Sequence, residues 1–511
     1  MASSLIHSFR PTLAALAACA VLAGCAVGPD FKAPANEAPA DFATWHGGSP
    51  ELLAGAASPG SAAAATAALP ASPISWQSFS DPVLERLQAR AVAASPDLQT
   101  AVLRFAQSRA QGKAVRSQLM PQVGASGSAQ RVRESEDGDF ARVIGAINPA
   151  QKDQVVKVLS DPHDMFQLGF DASWELDLWG RVRRSIEASD ADEAAAQALL
   201  AQVQLSVQAE VARHYFELRS AQQQIQLARA DIRAGEETRS LVQARTTGGL
   251  TNALDLSRQD AQLADVRSRL PQLLAQEAQA TNQITLLVGE RPGALAAELA
   301  PLPATQAASL PDLSLGVPSD VALRRPDIQR AQAQLHSATA GIGVAVADLY
   351  PRITIGASFG FQSVDASTFG EWGSRQWSIG PSLQLPIFDG GRRRATVTLR
   401  KLQEQEAAVN YQQTVLKAWH EIDDALSTYS AERQRNVQLA AMEVASRDAW
   451  QLARARYENG MTDFLVVLDA QRTLLQAQRS HADSNARLAV GLVAVTKALG
   501  VQASAAPEPA A

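Results

Sequence analysis

The chain has 511 residues, a formal net charge of -6, and 46% hydrophobic residues with only 5% aromatic. With no broad basic face to cover phosphates, a nucleic-acid partner is excluded. The apolar content leans on alanine, which favours long, closely packed helices over a bulky globular core.

Arg10 precedes an apolar run from Leu13 to Leu22 that is too short to span a bilayer. It ends in Leu22-Ala23-Gly24-Cys25, which resembles a bacterial lipoprotein signal. Cleavage would leave Cys25 as the mature N-terminus, carrying a diacylglycerol and an N-acyl chain; a plain secretory signal is the alternative. Residues 1–24 are thus read as signal peptide and 25–75 as a lipidated extension and linker, because Gly47 to Pro73 is mostly Ala, Gly, Ser and Pro. Cys19 leaves with the signal, so no disulfide is expected. No later apolar stretch reaches membrane-helix length, so any bilayer crossing must use strands in a closed barrel.

From Trp76 the chain becomes organised. Ser80-Asp81-Pro82 starts a helix, with a capping residue and an early proline, and the helical pattern runs towards Gln118 with an interruption at Ser95-Pro96-Asp97. Pro121 ends it. A weak strand follows, with Val123, Ala125, Gly127 and Ala129 on one face, and the charged stretch from Arg131 to Asp164 is expected to be a long irregular loop. From Phe166 to Leu176 apolar residues occupy every second position, with Gln167, Gly169, Asp171, Ser173 and Glu175 between them. That period predicts a strand with one apolar and one polar face. After Gly180 a helical pattern continues to about Arg245, rising about 90 Å. Gly248-Gly249 breaks it, Thr251 is expected to cap the next helix, and that helix returns to about Leu287.

The second half repeats the first. Ser95-Pro96-Asp97-Leu98 is answered by Arg325-Pro326-Asp327-Ile328 at an offset of 230, and Gly180-Arg181 by Gly391-Arg392 and Gly249 by Gly460 at an offset of 211. The offset changes only across the strand hairpin, so the second hairpin has the shorter loop. Ile353, Ile355, Ala357, Phe359 and Phe361 mark one strand; Trp377, Ile379, Leu383, Leu385 and Ile387 mark its return. Val415, Trp419, Ile422, Leu426 and Tyr429 form a heptad stripe behind them. The repeats are read as 76–300 (strand hairpin 121–178, helical hairpin 181–289) and 301–500 (strand hairpin 351–389, helical hairpin 392–500), with 501–511 a disordered tail. Four strands leave two open edges and enclose nothing. The expected fold is therefore a mixed α and β membrane protein: a trimeric twelve-stranded β-barrel, four strands per chain, continuous with a long α-helical periplasmic barrel.

These residues carry a resemblance. Cys25-Ala26-Val27-Gly28-Pro29-Asp30-Phe31, Phe79-Ser80-Asp81-Pro82, Trp174 through Arg181, Leu323 through Ile328, Phe388 through Arg392 and Leu468-Asp469-Ala470-Gln471 occur in an order that is similar to the outer membrane efflux protein family, the TolC-like outer membrane factors, in its lipidated branch. The resemblance implies a homotrimeric channel in the Gram-negative outer membrane, extending into the periplasm. There it would dock a periplasmic adaptor (membrane fusion) protein bound to an inner-membrane transporter, as the passive exit duct for drugs, solvents or metal ions. It also implies that Tyr457 to Asp469 borders the periplasmic aperture. Asp469 fits the aperture aspartate, with Arg472 one turn on as its expected partner; Val466 stands where one relative has a second aspartate, and Asp255 with Arg258 is the first-half analogue. Gly248, Gly249, Asn459, Gly460 and Thr462 are the tips, whose exposed backbone suits adaptor docking. Asp171 and Glu175, on the polar strand face, would line the barrel lumen. Arg181, Arg392, Arg393 and Arg394 sit where strand becomes helix. Anionic headgroups or neighbouring carboxylates are their expected partners, with a solvated basic run as the alternative.

No enzyme, metal or cofactor beyond the acyl chains is expected: seven histidines are scattered without ligand spacing. Gly356-Ala357-Ser358-Phe359-Gly360 lies inside an alternating strand and opens no helix, so it is wall and not a phosphate cradle. Two other readings are a type I protein secretion duct and a non-transporting structural coiled coil.

Overall fold

The computed structural model describes residues 26–35, 46–54, 76–147, 152–249, 251–302 and 324–500. The signal segment, Cys25, most of the linker and the tail from 501 to 511 lie outside the described residues. In chain order the helices are α1 (Pro82–Ala94), α2 (Pro96–Arg116), α3 (Asp139–Ile147), α4 (Lys152–Leu159), α5 (Arg181–Thr247), α6 (Ala253–Leu287), α7 (Pro326–Ala347), α8 (Arg392–Glu458) and α9 (Phe464–Ala498). The chain divides into two units, residues 1–32, 108–193 and 334–407, and residues 33–107, 194–333 and 408–511.

The first unit holds the sheet. Strands β1 (Gln122–Val132), β2 (His163–Leu176), β3 (Arg352–Ser363) and β4 (Arg375–Gln384) form an antiparallel meander in the order β1-β2-β3-β4. Register aligns Ala125, Phe170, Phe359 and Trp377 in one row and Gly124, Asp171, Ser358 and Ser378 in the next. Since side chains alternate along every strand, the apolar rows share one face and the polar rows the other. Leu385 and Ile387, expected to extend the return strand, lie beyond the end of β4.

The expected irregular loop between β1 and β2 contains α3 and α4 instead. Each opens on an acidic first turn that complements the helix dipole, and Ala141 and Val156 are buried. Nine and eight residues are too few for a pattern to stand out against charged flanks.

The duplication is literal in the helices: α5 and α8 each have 67 residues, α6 and α9 each have 35. In the second unit α6 returns along α5, with Gln259 Nε2 donating to the Gly235 carbonyl at 2.9 Å and Arg239 paired to Asp260. Likewise α9 returns along α8, where Asn436 Nδ2 donates to Asn485 Oδ1 at 2.8 Å. Gly249 (φ 71°) and Gly460 (φ 72°) reverse the chain in the left-handed region that glycine enters freely. Asn252, and not Thr251, caps α6: Leu254 and Asp255 N–H donate to its Oδ1 at 3.0 and 3.2 Å. The Thr251 hydroxyl is drawn aside to Asp255 Oδ2 at 2.5 Å.

The main core of this unit gathers Trp76, Phe79, Leu84, Leu87, Tyr215, Ile284, Leu426 and Leu492. Asp81 ties it to the helix start. Its Oδ1 accepts from Val83 and Leu84 N–H, capping α1, while its Oδ2 accepts the Tyr215 hydroxyl at 2.6 Å. Burial, then the Asp81 bond, holds the Tyr215 phenol well above its ordinary pKa.

Candidate functional site

The sheet leaves large apolar side chains in the open: Val123 is 71% exposed, Phe170 59%, Trp377 68% and Ile379 69%. The opposite face carries glycine, serine, glutamine and Asp171, with the Ser358 and Ser378 hydroxyls 2.8 Å apart. An apolar face this open next to a polar one is unsuited to a core but suits lipid on one side and water on the other. Strands of 10 to 14 residues are long enough for a tilted crossing. The outer edges of β1 and β4 have no partner strand among the described residues. No described helix is long and apolar enough to cross a membrane.

Asp171 lies on the polar face over Gly124, where even a Cβ would come within 3.1 Å of its carboxylate. Glu175 does not stand free beside it. Arg181 Nε and Nη2 donate to its two oxygens, both at 2.8 Å, and Arg352 approaches to 3.7 Å. The reason is local: β2 ends at Leu176 and the chain folds into α5 within five residues, bringing Arg181 back over the strand end. Asp177 caps α5 through Val182 N–H at 3.0 Å and Arg183 N–H at 2.9 Å, and pairs with the Arg183 guanidinium. Trp179 Nε1 donates to the Pro351 carbonyl at 2.8 Å, and its ring stacks on Tyr350. Arg393 pairs with Asp389 and donates to the Asp348 carbonyl. Neighbouring carboxylates thus take Arg181, Arg183 and Arg393, whereas Arg392 and Arg394 are exposed, and neither guanidinium has a partner among the described residues.

Sequence reasoning missed the strap that follows Cys25. Val27 N–H donates to the Trp179 carbonyl at 3.1 Å, Arg184 donates to the Val27 carbonyl and to Asp30, and Phe31 stacks on His336 at 4.3 Å. Gly28 rests directly on Gly343. Only the run from Cys25 to Phe31 signalled it, and that as a resemblance without a partner.

At the tips, the expected Asp469–Arg472 pair does not form. Arg472 Nε donates to Gln262 Oε1 on α6 at 2.7 Å, and the Asp469 side chain is exposed. A part-buried amide across the helix interface outcompetes an exposed pair worth a few tenths of a kcal/mol. The Asp255–Arg258 pair does form, at 3.6 Å. Arg245, absent from the sequence-derived site, donates to the Tyr457 and Glu458 carbonyls at 2.8 and 3.1 Å, and covers the Tyr457 ring. Beneath it Val242, Tyr457, Phe464, Val467 and Leu468 are buried together, while Met461 (62%), Leu465 (52%) and Val466 (49%) are exposed. Gly248, Gly249, Asn459 and Gly460 are exposed in the turns and Thr462 is half-buried. Among the described residues no group of three or more His, Cys, Asp or Glu could hold a metal.

A two-faced sheet with open edges, stitched twice to 67-residue helices, defines a barrel-forming channel protein of the cell envelope. The model of the outer membrane efflux protein family matches residues 87–290 and 317–501, and the chain belongs to that family. It is 30% identical over 490 residues to the outer membrane protein OprJ of Pseudomonas aeruginosa, covering 96% of this chain and 95% of the relative. It is 31% identical over 482 residues to the antibiotic efflux pump outer membrane protein ArpC of Pseudomonas putida, covering 94% and 93%. The solved outer-membrane channel OprN matches with a TM-score of 0.79 at 34% identity, over 93% of this chain and 99% of that one. The protein is an outer-membrane efflux duct, and its family is one of channels and not of enzymes.

Proposed function

We propose that three copies of this chain close a twelve-stranded barrel and serve as the passive exit duct of a tripartite pump, receiving small molecules from an inner-membrane transporter through a periplasmic adaptor. The observation that carries this reading is the sheet: one wet face, one lipid-compatible face, and two edges without a partner strand among the described residues, which further copies would satisfy. The antibiotic efflux role in the name of ArpC supports a drug-like cargo. Each repeat, 76–300 and 301–500, contributes one strand hairpin and one helical hairpin to the wall.

In this reading the turns at Gly248-Gly249 and from Asn459 to Thr462 dock the adaptor, with Met461 and Leu465 as apolar footholds. Asp469 and Val466 border the resting aperture, flanked by the Asp255–Arg258 pair; three like carboxylates around an axis repel unless a cation or guanidinium neutralises them. Asp171 wets the barrel lumen. Cys25 carries the acyl chains, and the docked strap beginning at Ala26 would hold that anchor in place; mass spectrometry of the mature N-terminus tests this. The channel itself is tested by purified protein in planar bilayers. Discrete conductance steps from a particle of trimer mass are expected, and a correctly sized oligomer that passes no current, aperture variants included, would refute the duct.

A further inference from the structure

The two strand-to-helix junctions are related by the 211-residue offset, and they treat their arginines differently. Arg181 pairs with Glu175, and Arg183 with Asp177. The corresponding arginines are Arg392 and Arg394, but the positions matching Glu175 and Asp177 are Pro386 and Phe388. The second junction therefore keeps the two cations without the two matching carboxylates; Asp389 there pairs with Arg393, and neither the Arg392 nor the Arg394 guanidinium finds a partner among the described residues. Beside them Ile387 and Phe388 are each 91% exposed. The alternation that puts Trp377, Ile379 and Leu383 on the apolar face of β4 continues in sequence through Leu385 to Ile387, so an open apolar surface leads straight to unneutralised positive charge.

We propose that Arg392 and Arg394 bind the phosphate of an anionic membrane phospholipid, whose acyl chains lie against Leu385, Ile387 and Phe388. Apolar side chains ending in paired cations match the boundary between hydrocarbon and headgroup. A second copy of the chain is the less fitting occupant, because copies join through strand edges while these side chains continue an exposed face. The proposal rests on the membrane-channel reading.

Full-length protein, delipidated in detergent, is titrated by native mass spectrometry with phosphatidylglycerol, phosphatidylethanolamine and inorganic phosphate. The intact protein should prefer phosphatidylglycerol to phosphatidylethanolamine. R392Q/R394Q should weaken phosphatidylglycerol binding by about thirtyfold, the effect of two charges near an anionic surface. R392K/R394K should retain most of it, since an ammonium still meets phosphate as a point charge, and R131Q/R133Q, in and just after β1, should change nothing. An unchanged preference in R392Q/R394Q overturns the proposal, as does inorganic phosphate competing fully at equal concentration, which marks a generic anion site. Dissociation of the oligomer with lipid preference intact would assign the arginines to a second copy and likewise overturn it. Conductance of the same preparations reads the channel assignment separately: current retained with lipid preference lost supports the lipid contact, whereas absent current counts against the duct alone.

Discussion

Replacing Gly28 with alanine should lift the strap that follows Cys25 off its groove. Gly28 has φ 97°, and a Cβ there would lie 2.5 Å from the Gly343 Cα, a backbone atom of α7 that cannot move aside. The left-handed conformation alone costs alanine about 1–2 kcal/mol, and the overlap adds to it. Against this stand the contacts that hold the strap. The Val27–Trp179 bond contributes about 1 kcal/mol and the Arg184 bond to the Val27 carbonyl about as much. The Phe31–His336 stack contributes about 1 kcal/mol. The Arg184–Asp30 pair adds little, because Asp30 is 84% exposed. A hold of about 3 kcal/mol opposed by a strain nearly as large leaves the strap about evenly divided between docked and undocked, so exchange of the Val27 amide should rise on the order of a hundredfold. Hydrogen exchange resolved to residues 26–31, with proteolysis as a second readout, measures this. Arg184 stays paired to Glu187 at 2.7 Å, and these strap contacts fall on Trp179, α5 and α7 and not on a strand, so the sheet should survive. Unchanged exchange at Val27 would refute the reasoning, and collapse of the sheet along with the strap would show that the strap is core.

Asp81→Ala removes the α1 cap, about 1 kcal/mol, and the charge-assisted bond to buried Tyr215, about 2 kcal/mol; Tyr215→Phe loses only the second. Thermal unfolding in detergent should rank Asp81→Ala as the more damaging, and the reverse order would show that the cap contributes nothing. Asp231 on α5 borders a cavity of about 290 Å³ together with Val266, Arg269, Leu273, Arg479 and Asp483, and burial pushes its carboxyl up to about 6. A raised acid pKa adds stability that is fully present below the unfolded value near 3.9 and lost as pH rises through 6. Asp231→Asn should therefore stabilise the protein increasingly from about pH 4 and level off above pH 6; a gain independent of pH would show that ionisation of Asp231 is not its source. Asp469→Ala and Arg472→Ala should change conductance additively, because Arg472 bonds Gln262. A large coupling energy would restore the direct pair.

The strands and long helices were legible because their periods differ: two from Phe166 to Leu176, three to four along Leu200, Val203, Val207 and Val211. Repetition at a fixed offset made the second half readable from the first. Helices α3 and α4 were not legible, since two short amphipathic turns in a charged stretch give too few positions to establish a period. Partners remote in sequence were equally hidden. Nothing near Arg472 announces Gln262, 210 residues away, nor does Arg245 announce the carbonyls of Tyr457 and Glu458. Glu175 was placed on the correct face, yet whether it lines a lumen depended on where α5 begins, and helix starts are set by capping contacts such as that of Asp177.

The same 211-residue offset explains why Asp469 stands alone. Asp255 and Arg258, paired at 3.6 Å and read from the sequence as the analogue of Asp469 and Arg472, align at that offset with Val466 and Asp469 instead. One acid has become apolar and one base has become acid, so the position that neutralised charge in the first repeat now presents it. The junction at the other end of the long helices shows the same asymmetry in the opposite sign, with Pro386 and Phe388 where Glu175 and Asp177 stand. Both changes leave the helix lengths as they were, α8 and α9 matching α5 and α6. A duplicated scaffold that pairs these charges in its first copy, as Arg181–Glu175, Arg183–Asp177 and Arg258–Asp255, can leave their counterparts in the second copy open to other molecules. In this chain the open charges are cationic where strand becomes helix and anionic near the turn at Gly460, the two places where the proposed lipid contact and the proposed aperture would lie.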